Sequence, residues 1–360
     1  MLKELSLKNF RSYAEQKIEF GSAWTVFCGA NGAGKSNLLE AVFFLTMLRS
    51  FRTTASRELV RHGESSMELR GLLERGIWKE ELTVSMGSDG ARNLRRNSRA
   101  VGKSSDFIDL ALPVAFAPED VMLVSGSASG RRRFADMYLS LLDPVYRKRL
   151  YHYNSALTQR NNALKRGRAA SAMAQAFEPV MAENALYVMQ RRKLFANLVA
   201  AETAELLKDD PDFEFAVQYR PDAWADSASD LREQLCRDRE KEIKRGCTLS
   251  GPQLDDFMLT LRGEAMRSFA SSGQRRKIAV CLKLAAYNLL RRKSGGRRPL
   301  VVLVDDVTGE LDAANRERFL EQVKTADQVF FTFTAVPADA AFAAAEKFAV
   351  NNSNVIRLRS

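Results

Sequence analysis

Histidine is scarce in this 360-residue chain: only His62 and His152 occur. Neither stands near a plausible nucleophile in sequence, so a histidine-based acid/base or triad enzyme has little to work with. The four cysteines, Cys28, Cys236, Cys247 and Cys281, form no CxxC pair. No zinc-site spacing exists, and a reducing cytosol is the expected compartment. No stretch approaches the ~18 apolar residues of a membrane span, and the first twenty residues lack an apolar signal core. The expectation is a cytoplasmic chain, neither exported nor membrane-spanning. Internal repeats and low-complexity tracts are absent too. Hydrolysis, if it occurs, would have to run on carboxylates and phosphate-binding groups.

Apolar residues and positive charge are plentiful. A 46% hydrophobic content suffices to bury a core and excludes wholesale disorder. Fifty-five Lys and Arg against forty-four Asp and Glu leave +11, which favours a nucleic acid or anionic-surface partner without bearing on fold. The length fits two to three domains, or one large domain with an insertion.

Early segments alternate as strands do: Leu5 and Leu7, Ile18 and Phe20, then the run Trp24 to Cys28. Short alternating segments between residues 66 and 101, separated by Gly76, Gly87 and Gly90, predict antiparallel strands with turns. From 131 to 207 the apolar spacing becomes helical through Tyr146, Leu150, Tyr153, Leu157 and Leu164, then Val188, Phe195 and Val199. Phe213, Phe215, Val217 and Tyr219 predict one strand, and a charged helix follows to Gly246. The last hundred residues return to α/β, with strands at 300–304 and 329–331. Residues 291–298 read as an exposed basic loop.

Gly29-Ala30-Asn31-Gly32-Ala33-Gly34-Lys35-Ser36 satisfies GxxxxGK[ST] in full, between a strand and an apolar helical stripe through Leu38, Leu39, Val42, Phe43 and Leu45, and together with Asn37 it forms the candidate nucleotide-binding set. A glycine-rich turn lets successive backbone N–H groups face a triphosphate, and the helix start adds its positive end. Lys35 is placed for the β and γ phosphates. Ser36 is placed to put its hydroxyl on Mg²⁺, which also needs an acid at the end of a neighbouring strand. The strand at 300–304 supplies it as Asp305-Asp306. Asp305 would bind Mg²⁺, and Asp306 would orient or deprotonate the attacking water. These halves are far apart in the chain, so an insertion must separate them. Ser271-Ser272-Gly273-Gln274 precede another helix and supply a second set of N–H donors for an anion; taken alone such a loop is an ordinary N-cap.

Together these motifs resemble the ABC-type ATPase heads and, within them, the RecF family of bacterial recombination mediators. Ala270 to Gln274 resembles the signature loop, and Asp305-Asp-Val-Thr-Gly-Glu-Leu-Asp312 resembles that family's Walker B segment and D-loop. Lys8-Asn-Phe-Arg-Ser12, Arg49-Ser-Phe-Arg-Thr53, Phe116-Ala-Pro-Glu-Asp120, Gly130-Arg-Arg-Arg-Phe134, Gln159-Arg-Asn-Asn-Ala-Leu164 and Gly251-Pro252 are similar to it as well. The similarity runs nearly end to end.

The resemblance implies an α/β fold: an ABC-ATPase head of mixed sheets, residues 1–120 and 248–360, with an inserted mainly helical arm, 121–247. It further implies a homodimer formed with ATP. Ser271, Gly273 and Gln274 of one subunit would complete the nucleotide site of the other, Asp312 would lie by the seam, and Arg11 would touch nucleotide. ATP and Mg²⁺ are the implied cofactors. Weak, DNA-stimulated ATP hydrolysis is the implied activity, and double-stranded and gapped DNA, RecO, RecR and indirectly RecA are the implied partners. Departures from the pattern are Gln253-Leu254 where His-Arg is usual, Gly309 for Ser, Ala128 for Pro, and Thr332 and Thr334 with no switch histidine. Two alternatives therefore stay open: a DNA-binding scaffold with structural nucleotide, and an ABC-type ATPase of another DNA transaction. Candidate DNA-phosphate contacts are Arg92, Arg95, Arg96 and Arg99, then Arg131, Arg132 and Arg133, and the 291–298 segment with Arg297 and Arg298. Such binding is expected to ignore sequence and to weaken with salt.

Overall fold

A computed structural model describes residues 1–108, 110–210, 213–223, 225–307, 309 and 312–358. The chain forms two compact units, one of Met1–Glu119 with Ser294–Ser360 and one of Asp120–Lys293.

In the first unit the predicted alternation produces β1 (Leu2–Phe10), β2 (Tyr13–Glu19) and β3 (Trp24–Cys28), and helix α1 (Lys35–Met47) follows the glycine loop. Next come β4 (Ser66–Arg75), β5 (Trp78–Gly87), β6 (Arg92–Arg96), β7 (Arg99–Ala100) and β8 (Leu112–Phe116). The glycines at 76 and 90 adopt the left-handed backbone that tight turns need. One sheet, ordered β2-β1-β4-β5-β6-β7, is antiparallel throughout.

The second unit is mainly helical. It holds α2 (Ala128–Leu142), α3 (Pro144–Leu164) and α4 (Glu178–Leu206), then β9 (Phe215–Arg220), α5 (Ala228–Arg245), β10 (Asp256–Leu261), β11 (Glu264–Ala265) and α6 (Ser272–Ser294). Asp143 caps α3 by accepting from the amides of Val145 and Tyr146, and Ser227 with Asp230 closes a capping box on α5. Phe213 falls outside β9, which begins at Phe215.

Two expected boundaries differ from those observed. Residues 248–293 cluster with the helical unit instead of joining the head at 248. The reason is local pairing: β10 runs antiparallel to β9, and buried Arg192 of α4 grips Asp136 and Asp255 at 2.9 Å. The basic stretch 291–298 is not all loop either. Arg291, Arg292 and Lys293 form the last turn of α6, where cations favour the carbonyl end of the helix dipole.

The chain re-enters the first unit with β12 (Leu300–Asp305), α7 (Ala313–Val323), β13 (Gln328–Phe333), β14 (Glu346–Asn351) and β15 (Asn354–Arg357). These build a second sheet, β15-β14-β3-β13-β12-β8, whose strands from β14 to β8 are parallel. Strands buried on both faces read as apolar runs, as Leu300 to Val304 do. Phe20, Phe27, Phe330 and Phe348 pack edge-on and tilted as one cluster, and Trp24, Phe331, Phe333 and Phe342 as another. Among the described residues no helix is long and apolar enough to cross a membrane.

Arg160 of α3 is fully buried between Glu178 and Glu242, at 3.0 and 2.7 Å, and Arg239 forks onto Glu178. Truncating one member of such a group leaves a carboxylate uncompensated. Arg160→Met is expected to cost about 3–5 kcal/mol in urea denaturation; a loss below about 1 kcal/mol would show that the group contributes nothing to stability.

Candidate phosphate-binding site

Parallel pairing puts the end of β3, and with it the glycine loop, one strand away from the end of β12. Between them lies β13, with Thr332 opposite Phe27 on one side and Asp305 on the other. Two glycines of the loop are sterically required. A Cβ on Gly29 would meet the Val350 carbonyl oxygen at 2.1 Å, and one on Gly34 the Tyr13 hydroxyl at 2.9 Å. Gly34 also sits at φ +110°, which strains any L side chain. Its carbonyl accepts from Tyr13 at 3.1 Å.

No side chain caps α1, and while the Asn37 and Leu38 amides bond the Gly34 carbonyl, those of Lys35 and Ser36 remain available to an anion. The Lys35 stem is buried, and its Nζ donates to the Gly29 and Ala30 carbonyls at 2.7 and 2.9 Å. The ammonium is thus held inside the loop that precedes it. Ala30, Asn31 and Gly32 form the exposed rim, while Ala33 is buried.

Ser36 Oγ donates to Asp305 Oδ1 at 2.8 Å, across 269 residues of chain. Thr332 Oγ1 donates to the same oxygen at 2.8 Å and accepts from the Asp306 amide at 3.0 Å. Burial pushes the Asp305 carboxyl above the usual range, although the Ser36 and Thr332 hydrogen bonds oppose this. Asp306 is exposed in the left-handed region at φ +51°, and the Thr332 hydroxyl fixes its backbone there.

Sequence reasoning did not find Thr332, having noted it only where a switch histidine is absent. It also missed Glu40, a fully buried carboxylate on α1. Glu40 receives a two-pronged fork from Arg11 at 2.8 Å, a short bond from Ser50, and Arg52 at 3.6 Å. Arg52 also donates to Asn37, whose amide reaches Ser12. Arg11 and Asn37 therefore belong to an ionic network beside the loop, with the Arg11 guanidinium turned to Glu40. One signal was available: an acid inside the apolar stripe Leu38, Leu39, Val42, Phe43 needs buried cations.

These residues fit a nucleoside triphosphate, offering inward backbone, an ammonium and a helix start. The hydroxyl of Ser36 and carboxylate of Asp305 make a hard-oxygen pair suited to Mg²⁺, which takes few protein ligands and completes its shell with phosphate and water. Among the described residues no group of three or more His, Cys, Asp or Glu could hold a metal.

The loop before α6 belongs to the second unit. Ser271 Oγ accepts from the Gln274 amide at 3.2 Å, and the Gln274 side chain accepts from the Ser271 amide at 2.8 Å, a reciprocal cap. Ser272 and Gly273 stand exposed in the first turn, and Phe269 is 71% exposed. Among the departures, Ala128 occupies the first turn of α2, where proline fits equally well, and a Cβ on Gly309 would meet nothing. Gln253 accepts a short bond from Tyr153 and donates to the Ser250 carbonyl, while Leu254 is exposed. Thr308, Glu310 and Leu311 lie outside the described residues.

Several candidate DNA cations are engaged internally. Arg92 lies over the Phe44 ring and donates to the Leu48 carbonyl, and Arg96 forks onto Glu80. Arg131 forks onto Asp256 at 2.8 and 2.9 Å, and Arg132 donates to the Asp255 carbonyl. Burial works to raise the Asp256 carboxyl, and Arg131 more than reverses this, holding it below the usual range. Arg95, Arg99, Arg133 and Arg297 are exposed, and Arg298 is half-buried.

Thr332→Val removes both hydrogen bonds at nearly constant shape. We expect a loss of about 1–3 kcal/mol in chemical denaturation; a change under about 0.5 kcal/mol would mean Thr332 does not organise the two aspartates.

The RecF/RecN/SMC N terminal domain family model matches residues 1–350. The DNA replication and repair protein RecF of Protochlamydia amoebophila (strain UWE25) is 34% identical over 343 residues, 92% of this chain and 94% of that protein. A solved structure of the recombination mediator RecF-ATP in the RecFOR pathway superposes with a TM-score of 0.90 at 27% identity, over 99% of this chain and 97% of that one. The Smc head domain from Pyrococcus furiosus, bound to the C-terminal domain of ScpA, shares the fold at a TM-score of 0.52 and 16% identity, over 99% and 96% of the two chains. With the ABC-ATPase head fold and this relatedness established, the chain belongs to the RecF family of DNA replication and repair proteins.

Proposed function

We propose that this protein is an ATP-controlled DNA clamp of recombinational repair in the cytoplasm. In this reading, ATP closes a homodimer on double-stranded or gapped DNA, and slow hydrolysis releases it. The convergence of Lys35, Ser36 and Asp305 on one glycine loop carries the reading. Lys35 binds and orients phosphate oxygens, and Ser36 with Asp305 would hold Mg²⁺. When bound, Mg²⁺ supplies charge that offsets the phosphates. Asp306 is exposed beside the pair and is the carboxylate available to orient water or accept its proton.

The loop at Ser271 to Gln274 completes the partner subunit's nucleotide site, with the free amides of Ser272 and Gly273 and the α6 dipole facing its phosphates. Exposed Phe269 beside it is suited to burial in a dimer seam. Because each site then needs two subunits, the monomer should turn over very slowly. Arg95, Arg99, Arg133, Arg297 and Arg298 remain candidate DNA-phosphate contacts. The family's pathway supplies RecR, RecO and indirectly RecA as partners in loading at gaps.

In sedimentation velocity with ATP and Mg²⁺, wild type should dimerise, whereas Ser271→Arg should stay monomeric while still binding ATP. Losing the Ser271 cap costs roughly 1 kcal/mol, which a thermal melt of the variant would register. A mass that ignores nucleotide in both proteins would remove the clamp and favour the scaffold with structural nucleotide. In a phosphate-release assay with gapped DNA, Lys35→Arg and Asp306→Asn should each lose roughly tenfold or more in turnover; turnover equal to wild type would remove the assigned role of the residue concerned.

A further inference from the structure

At one end of the helical unit, two basic segments distant in sequence, 165–168 and 241–245, come together. Lys165 and Arg166 follow the end of α3, and Lys244 and Arg245 end α5. All four are exposed, and none forms an ion pair among the described residues. Buried contacts hold the two helix ends side by side. Arg160 reaches Glu242 at 2.7 Å, the Thr248 amide donates to Asn161 at 2.8 Å, and Ile243 packs on the cluster of Ala163, Leu164 and Ala174. Lys165 lies against Gly246, where a Cβ would meet its Cγ at 3.4 Å.

The charge continues back along α5 through Lys241 to exposed Arg237, one and two turns earlier on the same face. At the margin, Arg168 and Lys241 are engaged by Glu240 and Asp238, at 3.0 and 3.8 Å. A helix dipole favours cations in the last turn alone. That explains Lys244 or Arg245 singly, but not a stripe reaching Arg237, nor the joining of two such ends. Apart from Met173 at its edge, the patch carries no exposed large apolar side chain. A protein interface would need an apolar centre, whereas a phosphodiester backbone needs cations alone.

We propose that this end of the helical unit is a sequence-independent contact for the phosphate backbone of double-stranded DNA. It rests on the DNA-binding reading above and gives it a location. The stripe from Arg237 to Arg245 extends about 12 Å along α5, over which a duplex presents about seven phosphates on its two strands.

The test uses the full chain with ATP and Mg²⁺, fluorescence anisotropy, and two duplexes of unrelated sequence at several KCl concentrations. The variant Lys165→Gln/Arg166→Gln/Lys244→Gln/Arg245→Gln should bind both duplexes at least about tenfold more weakly at the lowest KCl concentration, the gap narrowing as salt rises. Its slope of log K against log salt should be shallower by about 0.9 per lost contact, about 2 to 4 in all. Lys244→Gln/Arg245→Gln should fall between, and decides the matter if the fourfold variant does not fold. Wild-type affinity and slope in the variants would overturn this site while leaving the DNA-binding reading standing. A wild type that binds neither duplex overturns both. A loss on one duplex alone overturns the backbone assignment, and unchanged DNA binding with lost binding of polyglutamate assigns the patch to an acidic protein instead.

Discussion

Parallel pairing of β3, β13 and β12 is the constraint on which the site depends. Parallel strands cannot be joined by a tight turn, so segments distant in sequence must meet in the sheet before their ends can face each other. Once they do, the glycine loop leaves β3, Asp305 ends β12, and Thr332 stands on the strand between. The Ser36 to Asp305 hydrogen bond closes across that edge. A buried carboxylate is costly unless satisfied, and two hydroxyls satisfy this one from neighbouring elements. The same threonine secures the strained backbone of Asp306, so one side chain sets the position of both acids.

Buried charge serves a comparable purpose elsewhere in both units. Glu40 draws Arg11, Arg52 and Ser50 around the first turns of α1, tying the turn after β1 and the segment after α1 to the helix that carries Lys35 and Ser36. In the helical unit, Arg192 fastens α2 and the start of β10 to α4, and Arg160 fastens α3 to α5. Such groups are weak sources of net stability but penalise every arrangement that leaves one member alone. The exposed cations near Lys165 and Arg245 owe their adjacency to the second of these groups.

Arginine clusters illustrate why charge alone misleads. Arg131, Arg132 and Arg133 are consecutive, yet on a helix they point in different directions. The first forks onto Asp256, the second meets a carbonyl, and the third is exposed. Lys165 and Arg245 are far apart in sequence and adjacent in space. A solvated cation and an ion-paired one look identical in a sequence, because the partner is supplied by folding.

The sequence by itself determined the features that are local or periodic. Glycines at 29 and 34, Lys35, Ser36 and the acids after an apolar strand specify a glycine-rich loop between strand and helix and a carboxylate pair at a strand end, since backbone strain and strand burial act over a few residues. The alternation of Phe215 to Tyr219 and the helical stripe of α3 were legible for the same reason. Tertiary structure alone decided which residues meet. It made Thr332 the clasp between Asp305 and Asp306, turned Arg11 and Asn37 toward the Glu40 network, carried the helical unit on to Lys293 through the β9–β10 pairing, and extended α6 through Lys293. Each of these rests on a hydrogen bond, ion pair or packed contact between segments whose separation in the chain carries no local signal.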